Sequence, residues 1–156
     1  MRETSTKLRL AISNRCDRLS FRDPEVTLFF QALFTAKKSD LHGDLSVVFL
    51  DDSEISDLHG RFLNEPIPTD VITFPGDAQE DFAGEICVSA ETAWRESRER
   101  KISFSLEVCL YLAHGWLHLN GYDDCDEMDR LAMREAETEA LASAEKTGPL
   151  PAFSFS

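Results

Sequence analysis

Two histidines four residues apart, His114 and His118, stand in the stretch HGWLHLNGYDD over residues 114–124. From Val108 to Leu119 no residue carries a formal charge, which predicts a buried helix. A spacing of four puts both imidazoles on one helix face, one turn apart. Asn120-Gly121 suits the left-handed backbone that ends helices, and the turn brings Asp124 back toward the imidazoles. Two imidazoles and a carboxylate are metal-site chemistry. A buried imidazole must satisfy two ring nitrogens or incur a cost of about a few kcal/mol, and a shared ion satisfies one nitrogen of each. Asp123 and Asp126 compete with Asp124 for the third place, and Cys125 competes as a thiolate well suited to zinc.

The segment fits HxxxHxxGxxD, one letter from the long zinc-protease pattern. Those proteases carry a Glu directly after the first His as general base. Here that position is Gly115, which does no proton chemistry, so a metallopeptidase is a rival reading that lacks its base. An iron-dependent oxygenase is a second rival, because it shares the two-His-one-carboxylate set.

The elements that must position these residues follow from patterning. Lys7 to Ser13 alternates as a strand. Asp23 is expected as N-cap of a helix with Pro24 at its first position, Val26, Phe29, Phe30, Leu33 and Phe34 facing inward, and an end near Lys37-Lys38. Leu45 to Leu50, Val71 to Phe74 (closed by Pro75-Gly76) and Gly84 to Ser89 are three more strands. Helices are predicted from Asp51-Asp52-Ser53 to Leu58, from Ser89 to about Arg100, from Ser105 to Asn120, and from Asp126 to about Lys146. This pattern predicts a single α/β or α+β domain, a layer sandwich of about four strands against about five helices. The domain is expected over residues 1–146, the metal site at the end of the buried helix, and a flexible tail over 147–156.

The chain has 156 residues and a net charge of -13, which argues against a nucleic-acid partner only on the surface of it. Residues 1–38 carry eight Lys/Arg against four Asp/Glu, and Arg95, Arg98, Arg100 and Lys101 make a second basic cluster. Basic surface can therefore coexist with an acidic whole, although solvated faces paired with Glu explain such clusters as well. No apolar run reaches the roughly 18–20 residues of a membrane span, and the N-terminus has no signal-peptide core. Cys16, Cys87, Cys109 and Cys125 have no CxxC spacing, which points to reduced thiols and a cytoplasmic protein.

HGWLHLNGYDD resembles the signature HGxLHLxGYDH of the YbeY family, bacterial metal-dependent endoribonucleases of ribosomal RNA maturation. Residues 68–75, PTDVITFP, are similar to that family's PTDVLSFP, and residues 84–89, GEICVS, to its GDIVIS strand. Glu107 fits a further family position. The resemblance implies a small mixed sheet packed with helices and one divalent metal, zinc above all, held by His114, His118 and Asp124. It implies cleavage of single-stranded RNA through metal-bound water in maturing the 3′ end of small-subunit ribosomal RNA, and a part in ribosome quality control. Ribosomal RNA, the small ribosomal subunit and ribosomal proteins are the implied partners, with no membrane. A non-catalytic ribosome-assembly protein with a structural metal is the remaining rival.

Two positions depart from the family. Its third ligand is usually His, and Asp124 moves the set toward ions such as iron or manganese. An arginine often found six residues before the Thr of PTDV is Leu63 here, which leaves Arg61 as the substitute contact for phosphate. Arg95 and Arg98 are further candidates, since guanidinium forks suit phosphate, with a surface ion pair as the alternative for each. Glu107, seven residues before His114, is a candidate to orient an imidazole or move a proton, with a dipole-favoured helix start as its alternative. Thr69 and Asp70 support the site or cap a strand.

Overall fold

A computed structural model describes residues 8–63 and 69–156. Lys7 of the expected first strand, Pro68 of the PTDVITFP block and the side chain at Leu63 lie outside the described residues. In chain order the elements are β1 (Leu8–Asn14), β2 (Leu19–Phe21), α1 (Asp23–Ala36), β3 (Gly43–Leu50), α2 (Asp52–Leu63), β4 (Val71–Asp77), β5 (Phe82–Ser89), α3 (Ala90–Arg100), α4 (Phe104–Leu119), α5 (Glu127–Thr147) and β6 (Phe153–Phe155). A single helical turn, Ala78–Glu80, joins β4 to β5.

The main sheet has the order β1-β3-β5-β4. β1, β3 and β5 run parallel, and β4 closes one edge antiparallel to β5. Among the described residues, four strands in a mixed sheet and five helices make an α+β architecture, one of the two classes that patterning allows, with the mixed sheet that the resemblance implies. β4 continues through Pro75-Gly76 to Asp77, past the end expected at Phe74. Proline lacks an N–H, and an edge strand tolerates that loss because its outer side has no partner.

The two faces of the sheet are covered unequally. Leu50, Ile55, Ile72 and Cys87 form a small core under α2. The main core lies opposite, where Val47, Phe49, Ile86 and Val88 meet Val26 and Phe30 of α1 and Val108 and Leu112 of α4. Val108, Cys109, Leu112 and Ala113 are fully buried, so α4 is a covering layer whose larger side chains stabilise by about 1.5–3 kcal/mol each. This packing fixes the direction in which the two histidines point.

Helix ends follow capping chemistry with two shifts. Arg22 occupies the cap position of α1, and Asp23 lies inside the first turn, where the dipole favours a carboxylate. α2 starts where Asp51 accepts from Glu54 N–H at 2.9 Å and runs to Leu63, beyond Leu58. Ser89, Ser103 and Asp126 cap α3, α4 and α5 by accepting from the backbone of Thr92, Leu106 and Asp129.

The last residues depart from the expectation of a flexible tail. Thr147 ends α5, and Phe153–Phe155 pairs antiparallel with β2. Phe153 is buried against Phe21 and Phe49, while Phe155 stacks on Trp94 with centroids 5.3 Å apart and lies beneath the Arg18 guanidinium. Aromatic burial supplies what a three-residue strand pair alone lacks.

A polar knot joins α2 to α3. Asp52 accepts from Ser89 Oγ at 2.8 Å, Thr92 Oγ1 at 2.7 Å and Arg95. Burial pushes its carboxyl up, but those hydrogen bonds outweigh it and hold the pKa below 3.8. Asp52→Ala is expected to cost about 1–2 kcal/mol, read by urea denaturation. The depressed pKa sets the sign with pH. The contribution is present above the unfolded value of 3.8 and is lost as pH falls through the folded value below it, so wild type and variant converge in acid.

Candidate metal centre

The last turns of α4 present His114 and His118 on one face, their rings 4.7 Å apart and edge-to-face. Asn120 N–H bonds back to Trp116 and Leu117 carbonyls, and Gly121 takes a φ of +100°, a backbone state glycine adopts freely. That turn delivers Asp124. Its Oδ2 lies 3.5 Å from His114 Nε2 and 3.4 Å from His118 Nε2. For bonds of about 2.0–2.1 Å in a tetrahedron, two donors stand about 3.3–3.4 Å apart. The two contacts therefore have the length of tetrahedral edges, and the donor set fits a divalent ion.

Among the described residues, His114, His118 and Asp124 form one group of potential ligands within 4.8 Å of one another. Asp123, Cys125 and Asp129 form a separate group. Asp123 accepts from Asp124 N–H, and Asp126 is spent on capping α5. The side chains of His114, His118 and Asp124 are 25%, 23% and 45% exposed, so the group is open to solvent.

One carboxylate at the centre has no sequence signature. Glu137 of α5 meets His114 Nδ1 at 2.6 Å, with its side chain 15% exposed. A carboxylate only accepts, so Nδ1 carries the proton and the Nε2 lone pair is left facing Asp124. Burial works against the charged form of His114. The hydrogen bond and charge of Glu137, with Asp70 and Asp124 behind, outweigh it and raise the pKa above 6.5.

The family model described as Endoribonuclease YbeY matches residues 11–145. The chain belongs to the YbeY endoribonuclease family. An endoribonuclease YbeY of Protochlamydia amoebophila is 37% identical over 114 residues, 70% of this chain and 76% of its own length. That of Carboxydothermus hydrogenoformans is 30% identical over 135 residues, covering 85% and 94%. A solution structure from Thermotoga maritima superposes with a TM-score of 0.63 at 25% identity, over 89% of this chain and 91% of that one.

In this YbeY-family chain Gly115 has a packing reason. A Cβ there would lie 2.7 Å from Ile86 Cγ2 and 3.3 Å from Thr73 Cγ2, so the position faces the sheet, away from the donors. The peptidase base is therefore absent for a second reason, since a Glu at 115 would be driven into β4 and β5. Gly115→Ala is expected to cost about 1–2 kcal/mol, the lower part of the overpacking range, because Ile86 alone comes within 3 Å. A thermal melt reads it.

The other candidates lie elsewhere. Glu107 is buried on α4, but it accepts from Arg100 at 2.8 and 3.1 Å. The carboxylate that meets His114 is Glu137. Arg95 bonds to Asp52 and Thr92, and the Arg98 guanidinium lies over Trp94. Arg61, exposed at the end of α2, pairs with Asp57 at 3.3 Å. Thr69 donates to Asp70, which in turn accepts from Val71 N–H at the start of β4.

Proposed function

We propose that this protein is a cytoplasmic, metal-dependent endoribonuclease that cuts single-stranded RNA, acting with the small ribosomal subunit on the 3′ end of its RNA and in ribosome quality control. Zinc is the proposed ion. The observation that carries the reading is the pair of 3.4 and 3.5 Å contacts between Asp124 and the histidine Nε2 atoms, within the family's own signature segment.

When bound by His114, His118 and Asp124, a divalent ion supplies Lewis acidity to a phosphoryl oxygen and acidifies water near neutral pH. The chain's own residues do the rest. Glu137 holds the His114 proton on Nδ1 and fixes the ring. Asp124 puts a negative charge where the family signature has a neutral imidazole, which tempers that acidity and admits harder ions. Arg61 is the proposed phosphate contact, because its exposed i,i+4 pair with Asp57 is worth only about 0.3–0.5 kcal/mol and its guanidinium lies 5.8 Å from the ring of the exposed Phe62, a looser contact than that of Arg98 with Trp94. Arg95 and Arg98 would each have to leave Asp52 or Trp94 first, and Glu107 would have to leave Arg100.

Incubation of the purified protein with a labelled single-stranded RNA tests the reading. Internal cleavage is expected, abolished by a chelator and restored by added divalent ion, with no digestion of casein. Cleavage indifferent to the chelator would remove the ion from the reaction, and casein digestion would favour the peptidase.

A further inference from the structure

Behind the metal centre, a cavity of about 580 Å³ opens between the end of α1, the last turn of α4 and α5. It shares a wall with the centre, because the Asn120–Tyr122 bend that lines it is the segment that delivers Asp124. On α4, Trp116 and Leu119 face this cavity while His114 and His118 point to the opposite side. The floor is apolar and includes the buried Trp116 indole.

The mouth is of another kind. Lys37 and Lys38, two of the chain's five lysines, stand there in a protein of net charge -13. Lys37 donates to the Tyr122 hydroxyl and lies over its ring, 4.8 Å from the centroid. Among the described residues Lys38 makes no ion pair. Asp40 and Glu139 on the same rim offer acceptors for amino groups.

We propose that this cavity is a nucleotide subsite. The planar base lies on the Trp116 floor and the phosphate meets Lys37 and Lys38. An apolar floor suits a base face, paired ammonium groups suit a phosphate, and the volume lies within the usual 300–1,000 Å³ range of small-ligand sites. The nucleotide is either a unit of the RNA strand or a free mononucleotide. The RNA-strand form rests on the endoribonuclease reading above.

Trp116 is its own reporter in a Trp94→Phe background. Adenosine 5′-monophosphate is expected to change its emission saturably, with adenosine and inorganic phosphate each binding more weakly. Lys37→Glu with Lys38→Glu should weaken that binding at least tenfold. Ala140→Leu, which fills the cavity without touching charge, should do the same, and bound metal should be unchanged in both. With single-stranded RNA, a higher KM at constant kcat in these variants assigns the subsite to the strand. An unchanged KM in variants that have lost mononucleotide binding assigns it to free nucleotide. No emission change together with an unchanged KM, in a wild type that cleaves RNA, overturns the proposal. A wild type that binds the mononucleotide but cuts no RNA overturns the nuclease reading and leaves the subsite standing.

Discussion

His118→Ala is expected to strip the proposed divalent ion from the protein and to lower RNA cleavage by on the order of 10³-fold or more, with the fold intact. The loss follows from ligand count. Two donors, His114 and Asp124, remain, and a two-point site on a partly exposed surface holds an ion far less well than three. Lewis-acid stabilisation of a phosphoryl transition state is worth several kcal/mol, and about 4 kcal/mol is a thousandfold in rate. The fold survives because α4 is held by Val108, Cys109, Leu112 and Ala113 at its buried face, whereas the His118 side chain is 23% exposed and adds little to the core. Circular dichroism of the apo form should therefore match wild type, while metal per chain after dialysis falls toward zero. The companion variant Asp124→His, which writes the family signature into this chain, should keep both ion and cleavage. Full metal content in His118→Ala would mean that the three donors are not the site.

The candidate centre was legible because its potential ligands are local. His114, His118 and Asp124 lie within eleven residues, so a helix period and a glycine turn are enough to bring them together. The sheet was legible for a similar reason: β3 carries Val47, Val48, Phe49 and Leu50 in succession and β5 carries Ile86, Cys87 and Val88, short apolar runs that suit strands covered on both faces. α2 ran past its expected end because a glycine in a helix costs only about 1 kcal/mol, and Gly60 did not stop it.

What stayed hidden depends on contacts far apart in sequence. β2 and β6 have three residues each, too short for a periodic signal, and they meet across more than a hundred positions. Phe153 and Phe155 read as two apolar residues in a tail until Phe21, Phe49 and Trp94 are placed beside them. Gly115 looked like a lost base, and only the approach of Ile86 shows that the sheet leaves no room for a side chain. The basic cluster of α3 resolves into partners: Asp52 for Arg95, Trp94 for Arg98 and Glu107 for Arg100. That is the ordinary fate of charge clusters on a packed helix.

Glu137 was the most hidden of all, one of several glutamates on an amphipathic helix with no motif of its own. Its replacement by alanine should weaken metal binding by about 10–100-fold, the usual cost of losing a hydrogen bond that orients a ligating imidazole. Without the 2.6 Å contact, His114 can rotate and can place its proton on Nε2, the nitrogen that must face the ion. Glu137→Gln should fall between the two, since its amide oxygen still accepts from Nδ1–H but carries no charge. Proton competition predicts the opposite sign. Glu137 raises the His114 pKa, so removing it lowers that pKa and relieves competition between proton and ion in mild acid. Titration against a chromophoric chelator at several pH values separates the two effects. Weaker binding of Glu137→Ala at neutral pH, narrowing as pH falls, assigns the loss to ring orientation. Equal affinity of variant and wild type at neutral pH would mean that packing within α4 and α5 alone holds the ring.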